Sequence, residues 1–366
     1  MNQRFIGLMS GTSMDGIDAA LVSFSDDGIE LLATHEHAYE ESLREQLAIA
    51  THNTSLQRAD QVAELHAAVG NAFRDATNTL LHSTETEPQE VVAIGSHGQT
   101  LRHEPDADEP YSLQIGDAQL IADGTGITTV ADFRSADIEA GGQGAPLAPA
   151  FHEWLFGRTN DHAIILNIGG IANVTVLRSD TPTTGFDTGP GNTLMDNWIR
   201  NQREETFDRD GEWAASGSVN KPLLERLLTD AYFARNAPKS TGFEYFNLGW
   251  LQSADLTAIA PQDVQATLCE LTAATAAYEI QTADARNVYV CGGGAHNREL
   301  MRRLRARLPN INVDTTAAVG LDPNWVEAVA FAWLAMRRLA GLPGNLPSVT
   351  GADRPVLLGD IYEPSF

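Results

Sequence analysis

Positive charge is scarce in this chain. Among 366 residues it carries 24 lysines and arginines against 49 aspartates and glutamates, a formal net charge of −25. Lys221 and Lys239 are its two lysines. A field of that sign opposes binding to nucleic acid or to anionic membrane, and it favours solubility. Cysteine is as sparse: Cys269 and Cys291 can build neither a disulfide framework nor a structural zinc site. Long apolar runs are missing too. None approaches the roughly 20 residues of a membrane span, and the opening MNQRFIGLMSG has too short an apolar stretch for a secretion signal. What remains is the expectation of a soluble cytoplasmic protein, long enough for two domains with their own cores.

What is present alternates between two periods. RFIGLM and IDAALVSF read as strands on either side of a polar, glycine-bearing turn. Helical spacing then dominates from about residue 41 to 82, through Leu65, Ala68 and Phe73. VVAIGS is a strand ending in a polar turn, and YSLQIGD and ITTVADF are short strands around a helix-like DAQLIADG. EAGGQGAPLAP (139–149) reads as a loop and a crossing between domains. At 162–178, HAIILNIGGIANVTVLR repeats the strand, turn and strand of 4–24 about half a chain later, which suggests two related halves. Helices are expected near 192–203, 221–230 and 261–283. The strand NVYVC, the loop GGGAHN and the helix RELMRRLRARL follow, then a last long helix, NWVEAVAFAWLAMRRLA, and an extended tail that packs back on the first domain. Strands alternating with helices make this an α/β protein.

Three glycine-bearing loops follow apolar strands: Gly11–Gly16, Gly169–Asn173 and Gly292–Asn297. Main-chain N–H groups in such turns converge on anions, and glycine lets a phosphate approach closely. A nucleotide is the natural ligand for three of them together. The commonest nucleotide loops do not fit. SGTSMDG has no lysine and leads into a strand, so it is not a Walker loop. A dinucleotide fingerprint must open a helix, which fails at the first two turns. Those two are hairpin turns. Asp15 or Asp18 beside a triphosphate would repel it unless a divalent cation intervened, and Mg2+ binds through one or two carboxylates plus phosphates.

In order along the chain, GLMSGTSMDGIDAALV, IGSHGQTLRH, LQIGD, ADFR, GGQGAPLAP, NIGGIANVT, FDTGPGN and CGGGAHN together resemble the anhydro-N-acetylmuramic acid kinase family. This family lies within the superfamily of sugar kinases, heat-shock chaperone ATPases and actin. The resemblance runs from Gly7 to about Ala335. It implies two actin-like (ribonuclease H-like) ATPase domains flanking a central nucleotide and sugar cleft, here residues 1–130 plus 342–366 and residues 131–341. It also implies ATP and Mg2+ as cofactors, a cytoplasmic homodimer, and a reaction that opens the 1,6-anhydro ring with water and phosphorylates O6 during cell-wall recycling.

Residue by residue, the resemblance puts the catalytic base on Asp187. The residues alone read GFDTGPGN as a carboxylate on a rigid, glycine-flanked turn, with an Asx-turn or helix cap as the plain alternative. Glu327 is the second catalytic candidate. Its helix is apolar around its circumference, so burial is expected, and its place in the first turn offers a structural alternative. The nucleotide is expected at Gly11, Thr12, Ser13, Met14, Asp15, Gly16, Ile17 and Asp18, with Mg2+ near Asp15. Gly169, Gly170 and Asn173 supply the second turn, and Gly292, Gly293, Gly294 and Asn297 flank the adenosine. The sugar is expected at Ser96, His97, Gln99, Asp117 and Arg134, with Arg134 facing the lactyl carboxylate. Asp117 is equally readable as a helix N-cap, Arg134 as a surface ion pair, and Cys291 as a buried strand residue.

Two other readings stay open at this stage. One is a different sugar or carboxylate kinase of the superfamily. The other is a chaperone-like or actin-like regulatory ATPase, which normally carries a further domain for which this chain leaves no room. An inactive sugar-binding regulator is opposed by Asp187 and the intact turns.

Overall fold

A computed structural model describes residues 3–11, 14–25, 28–52, 59–105, 107–157 and 162–365. The chain forms two compact units, residues 1–151 with 325–366, and residues 152–324.

The first unit opens with a meander of β1 (Gln3–Met9), β2 (Gly16–Ser25) and β3 (Gly28–Ala38), followed by α1 (Glu41–His52) and α2 (Ala59–Ser83). In α2, Leu65, Val69, Phe73, Ala76 and Leu80 recur at helical spacing and are buried against the sheet, which is why this stretch is a helix. Next come β4 (Val91–Ser96), a separate hairpin of β5 (Gln99–Glu104) and β6 (Tyr111–Ile115), then α3 (Ala118–Thr125), β7 (Thr129–Ala131), α4 (Ser135–Glu139) and α5 (Ala148–Phe156), a helix that begins in the first unit and ends in the second. The second unit comprises β8 (Ala163–Ile168), β9 (Ile171–Leu177), β10 (Thr184–Pro190), α6 (Thr193–Arg203), α7 (Glu212–Ser216), α8 (Lys221–Leu228), α9 (Leu248–Gln252), α10 (Pro261–Thr282), β11 (Asn287–Cys291), α11 (Arg298–Arg307) and β12 (Asn312–Thr315). The chain then returns to the first unit with α12 (Val326–Leu339), α13 (Pro347–Thr350) and β13 (Asp360–Tyr362).

The two sheets share one topology. In the first the order is β13-β7-β4-β1-β2-β3, and in the second β10-β9-β8-β11-β12. Each has three antiparallel strands (β1, β2, β3 and β8, β9, β10) continued by two parallel ones (β4, β7 and β11, β12) on the free side of the first strand. This is the ribonuclease H-like arrangement, present twice, so the α/β class and the duplication both hold. The first unit adds the β5–β6 hairpin, and the tail strand β13 pairs antiparallel with β7, as expected of a tail that packs back.

Helix α12 lies on the centre of the first sheet because two glycines let it. Gly7 of β1 and Gly95 of β4 are register partners. A β-carbon on Gly7 would collide with the carbonyl of Ala328, and one on Gly95 with the carbonyl of Phe331.

Several expectations need correction here. The units divide at 151/152 and 324/325, not at 130/131 and 341/342, because α12 packs on β1 and β4. The loop 139–149 is not a crossing. It stays in the first unit, where the Gly144 N–H donates to Asp137 (2.8 Å) and the Gln143 N–H to the Thr350 carbonyl (2.8 Å). Strand β3 escaped the sequence reading because GIELLATHEHA is a polar, half-exposed edge strand without a clean alternation. The expected helix over 41–82 is α1 and α2, with 53–58 outside the described residues.

Candidate active site

In an α/β sheet, ligands gather beyond the carboxyl ends of parallel strands. In the first unit β1 and β4 end side by side, releasing Ser10 and His97, and the His97 N–H donates to the Leu8 carbonyl at 3.0 Å. Ser96 and His97 are 1% and 5% exposed. Arg134, just beyond β7, donates from Nη2 to His97 Nε2 (2.9 Å) and from Nη1 to the Gly144 carbonyl (3.4 Å). Burial, reinforced by the Arg134 charge and opposed by the main chain of Ser10 and Gly98, lowers the His97 pKa to about 3, so its ring is neutral at neutral pH. A neutral ring that accepts at Nε2 carries its proton on Nδ1. Burial also lowers Arg134 to about 10, with Glu327 opposing, and the guanidinium stays charged. Three buried polar atoms here have no hydrogen-bond partner among the described residues: Ser96 Oγ, His97 Nδ1 and Arg134 Nε.

Glu327 stands in the first turn of α12. Its side chain is exposed, not buried as the apolar helix suggested, because the first turn emerges at the end of the packed stretch. Protein nevertheless crowds it enough to raise its pKa, with Arg134 acting in the opposite direction. Asp18, opposite Met9 on β2, is half-buried, and its pKa is raised to about 6 by burial, then by Glu36 and Glu327. His97, Arg134, Glu327 and Asp18 therefore form one electrostatically connected group.

The first glycine turn joins β1 to β2. Thr12 and Ser13 lie outside the described residues. Met14 has φ +55°, Asp15 is exposed, and the Ile17 side chain is 1% exposed in the core, which leaves its main chain alone to face a ligand. Gln99 is turned toward this turn, donating from Nε2 to the Gly11 carbonyl at 3.1 Å. Asp117 caps α3, its Oδ1 accepting from the N–H groups of Gln119 (2.9 Å) and Leu120 (3.2 Å), so its cap reading is the one realised.

In the second unit a polar row crosses four adjacent strands. Asp187 on β10 is opposite Asn173 on β9, Asn173 is opposite Asn167 on β8, and Asn167 is opposite Cys291 on β11. Directly opposed residues share a sheet face, so the carboxylate and both amides line up beside the second hairpin. That hairpin turns at Gly169 and Gly170, whose carbonyls accept from Asn192 N–H (2.8 Å) and from Gly191 (2.9 Å) and Thr193 (3.1 Å). A side chain at Gly191 would overlap the Gly169 carbonyl. The third loop leaves β11 through Gly292 at φ +77°, against Asn167 and Ile168, and enters α11. Asn297 caps that helix, Oδ1 accepting from the Leu300 N–H at 2.9 Å.

Asp187 sits in strand β10, not on the expected turn, beside a bulge between Asp187 and Gly189. Its N–H donates to the Lys239 carbonyl (2.9 Å), its carbonyl accepts from Tyr232 Oη (2.8 Å), and its Oδ2 accepts from the Thr241 N–H (2.9 Å). Burial raises its pKa to about 6, the Thr241 bond pulls it down, and Glu244 pushes it further up. Bulges re-aim side chains beside active sites. Thr241, which holds this carboxylate, and Lys239 and Tyr232, which hold the Asp187 main chain, leave no signal in the sequence because they lie in an irregular segment remote from FDTGPGN. Among the described residues no group of three or more His, Cys, Asp or Glu side chains could hold a metal ion. Cys291 is buried at the end of β11, as expected.

A family model for anhydro-N-acetylmuramic acid kinase matches residues 3–364. The chain is 50% identical over 367 residues to the anhydro-N-acetylmuramic acid kinase of Shewanella halifaxensis (strain HAW-EB4), covering 99% of each chain. It is 51% identical over 364 residues to that of Xanthomonas campestris pv. campestris (strain 8004), covering 98% of this chain and 97% of the other. Among solved structures it resembles a ROK family glucokinase from Streptomyces griseus in complex with glucose and AMPPNP. There the TM-score is 0.42 and the identity 14%, over 91% of this chain and 99% of the other. That distance bears on neither substrate nor site. On the family match and the full-length identities, the chain belongs to the anhydro-N-acetylmuramic acid kinase family.

Proposed function

We propose that the protein uses ATP and water to open the 1,6-anhydro ring of 1,6-anhydro-N-acetylmuramic acid and to phosphorylate O6. The products are N-acetylmuramic acid 6-phosphate and ADP, within cell-wall recycling and amino-sugar catabolism. The observation that carries the reading is Asp187, whose main chain is held by two hydrogen bonds and whose carboxylate accepts a third, and which titrates at about 6. Such a group is mostly ionised at neutral pH yet basic enough to take a proton from water, the match a general base needs.

In the proposed step Asp187 accepts a proton from the attacking water as the new C1–O bond forms and the C1–O6 bond breaks. O6 leaves with the electron pair and bonds to the γ-phosphorus, while the bond from phosphorus to the β–γ bridging oxygen breaks and ADP departs. No separate acid is required, since the phosphoryl group captures O6. The unpartnered Ser96 Oγ and His97 Nδ1 suit the hydroxyl and acetamido groups of the sugar, and the Arg134 charge suits its lactyl carboxylate. Glu327, exposed and within the field of Arg134, suits a water-positioning or sugar-contacting role. Gln99 and Asp117 are less suited to sugar contact, since their side chains are spent on the first turn and on the α3 cap.

For the nucleotide, the turn from Gly11 to Asp18 and the turn at Gly169, Gly170 and Asn173 are assigned the phosphates. The main chain from Gly292 to Gly294, with Asn297, is assigned the adenosine. Mg2+, when bound, supplies charge neutralisation to the phosphates. Exposed Asp15 and half-buried Asp18 fit the one or two carboxylates that ion uses beside phosphate and water. A cytoplasmic homodimer completes the reading. The test is purified protein with Mg-ATP and either the anhydro sugar, free N-acetylmuramic acid, or no sugar. Phosphorylation of the anhydro sugar is expected; turnover without sugar, or on the ring-opened sugar alone, would sink it.

A further inference from the structure

Gln99 behaves unlike its neighbours in SHGQT. Ser96 and His97 each keep a buried polar atom unpartnered, whereas the Gln99 amide, 1% exposed, is committed to the protein. Its Oε1 accepts from Ser10 Oγ at 2.7 Å and lies 3.5 Å from Tyr39 Oη, and its Nε2 donates to the Gly11 carbonyl. Ser10, 2% exposed, also has the Gly16 carbonyl within donating distance at 2.8 Å, and it accepts from Tyr39 Oη at 3.1 Å. The Tyr39 N–H donates to the Asp15 carbonyl at 3.4 Å.

We propose that Ser10, Gln99 and Tyr39 form a buried latch that fixes the two stems of the first glycine turn for ATP phosphates. They are positioning residues for the nucleotide, with Gln99 tying the turn to the loop that carries Ser96 and His97. The proposal rests on the assignment of that turn to phosphate.

The physical case is one of dipoles. Gln99 Nε2 and the Tyr39 N–H hold the carbonyls of Gly11 and Asp15 inward, while the single Ser10 proton serves either Gln99 Oε1 or the Gly16 carbonyl. A carbonyl facing a triphosphate would repel it, and the trans peptide from Asp15 to Gly16, its carbonyl held inward, presents its N–H on the opposite side. Tyrosine suits the position because its ring fills the core while its hydroxyl reaches a buried polar partner. Burial raises the Tyr39 pKa, so the hydroxyl remains a donor over the whole working range of pH.

The test uses Tyr39→Phe, which deletes one hydroxyl, and Gln99→Glu, which keeps shape and acceptors but loses the Nε2 donor. ATP affinity is read by equilibrium titration without sugar, KM for each substrate by steady-state kinetics, and folding by thermal melts. Losing one buried hydrogen bond at this point should weaken ATP binding by about 3- to 10-fold. The sugar KM and the melting temperature of Tyr39→Phe should stay near wild type. The double variant should weaken ATP binding less than the product of the single effects, because the groups act as a unit. A rise in sugar KM with unchanged ATP affinity would make Gln99 a sugar contact and overturn the latch, as would no change in either. If the wild-type protein binds ATP but does not phosphorylate the anhydro sugar, the substrate reading falls while the latch still stands on the titration.

Discussion

Replacing Asp187 by Asn should make the protein more stable while abolishing its activity. The carboxyl titrates at about 6 in the fold against an ordinary 3.8, because burial disfavours its charge. That difference of about 2 units corresponds to about 3 kcal/mol spent at neutral pH on holding the charged form in place. Asn keeps an acceptor for the Thr241 N–H but carries no charge. Its amide still has to be desolvated, so roughly half the cost should be recovered, an increase of about 3–6 °C in melting temperature for a unit of this size. The sign with pH is fixed by linkage. A carboxyl raised in the folded state imposes no cost below about pH 4, where folded and unfolded chains are both protonated. The cost grows as pH rises through about 6 and is constant above. The advantage of Asp187→Asn should therefore be absent near pH 4 and complete by pH 7. Loss of the proposed base should lower kcat by about 10²- to 10⁴-fold. Thermal melts of both proteins from pH 4 to 8, alongside rates at pH 7, read all of this. An unchanged or lower melting temperature at pH 7, a gain equally large at pH 4, or retained activity would refute the reasoning.

Two further outcomes follow from packing and buried polar groups. Gly95→Ala should destabilise by about 3 kcal/mol, at the upper end of overpacking effects, because the new methyl meets the Phe331 main chain and not a yielding side chain. A melting temperature within 2 °C of wild type would show that α12 moves aside freely. Asp137, fully buried, accepts from Asn345 Nδ2 (2.6 Å), Thr350 Oγ1 (2.7 Å) and the Gly144 N–H (2.8 Å). Asp137→Ala should cost about 3 kcal/mol by stranding these donors, and denaturant titration checks it. An unaltered midpoint would mean that water replaces the carboxylate.

The sequence carried the parts of this molecule that are local. Strand, glycine turn and strand can be read from hydrophobic period and turn residues, and their repetition half a chain later marks the two halves that the matching strand orders display. Asp187 stood out because glycines and a proline surround it. Those same residues concealed that it lies in strand β10, since TGFDTGP looks like a breaker and becomes a strand only by pairing with Asn173 and Lys239. Glu327 was misread for the opposite reason: its helix is apolar on all sides, yet solvent reaches its first turn. Polar groups whose partners are distant left no signal. Asp137 looks like a surface acid in SADIEAGG, and its partners Asn345 and Thr350 are 208 and 213 residues away.

The same distinction separates the two hairpins, which look equivalent in sequence and occupy equivalent places in two equal topologies. The second is held by main-chain donors that lie close along the chain. The N–H groups of Gly191, Asn192 and Thr193 close on the carbonyls of Gly169 and Gly170, and the glycine at 191 is what permits the approach. The first is held by side chains gathered from afar, Gln99 and Tyr39 meeting Ser10 across 89 and 29 residues. Main-chain locking tolerates most side-chain changes outside the glycines. Side-chain locking makes one turn depend on three particular residues, and through Gln99 on the loop of Ser96 and His97. Duplicated units therefore need not share the work equally. The turn built from side chains is the one whose geometry can be tuned by substitution, and it carries the aspartates to which the proposed metal–phosphate contact falls.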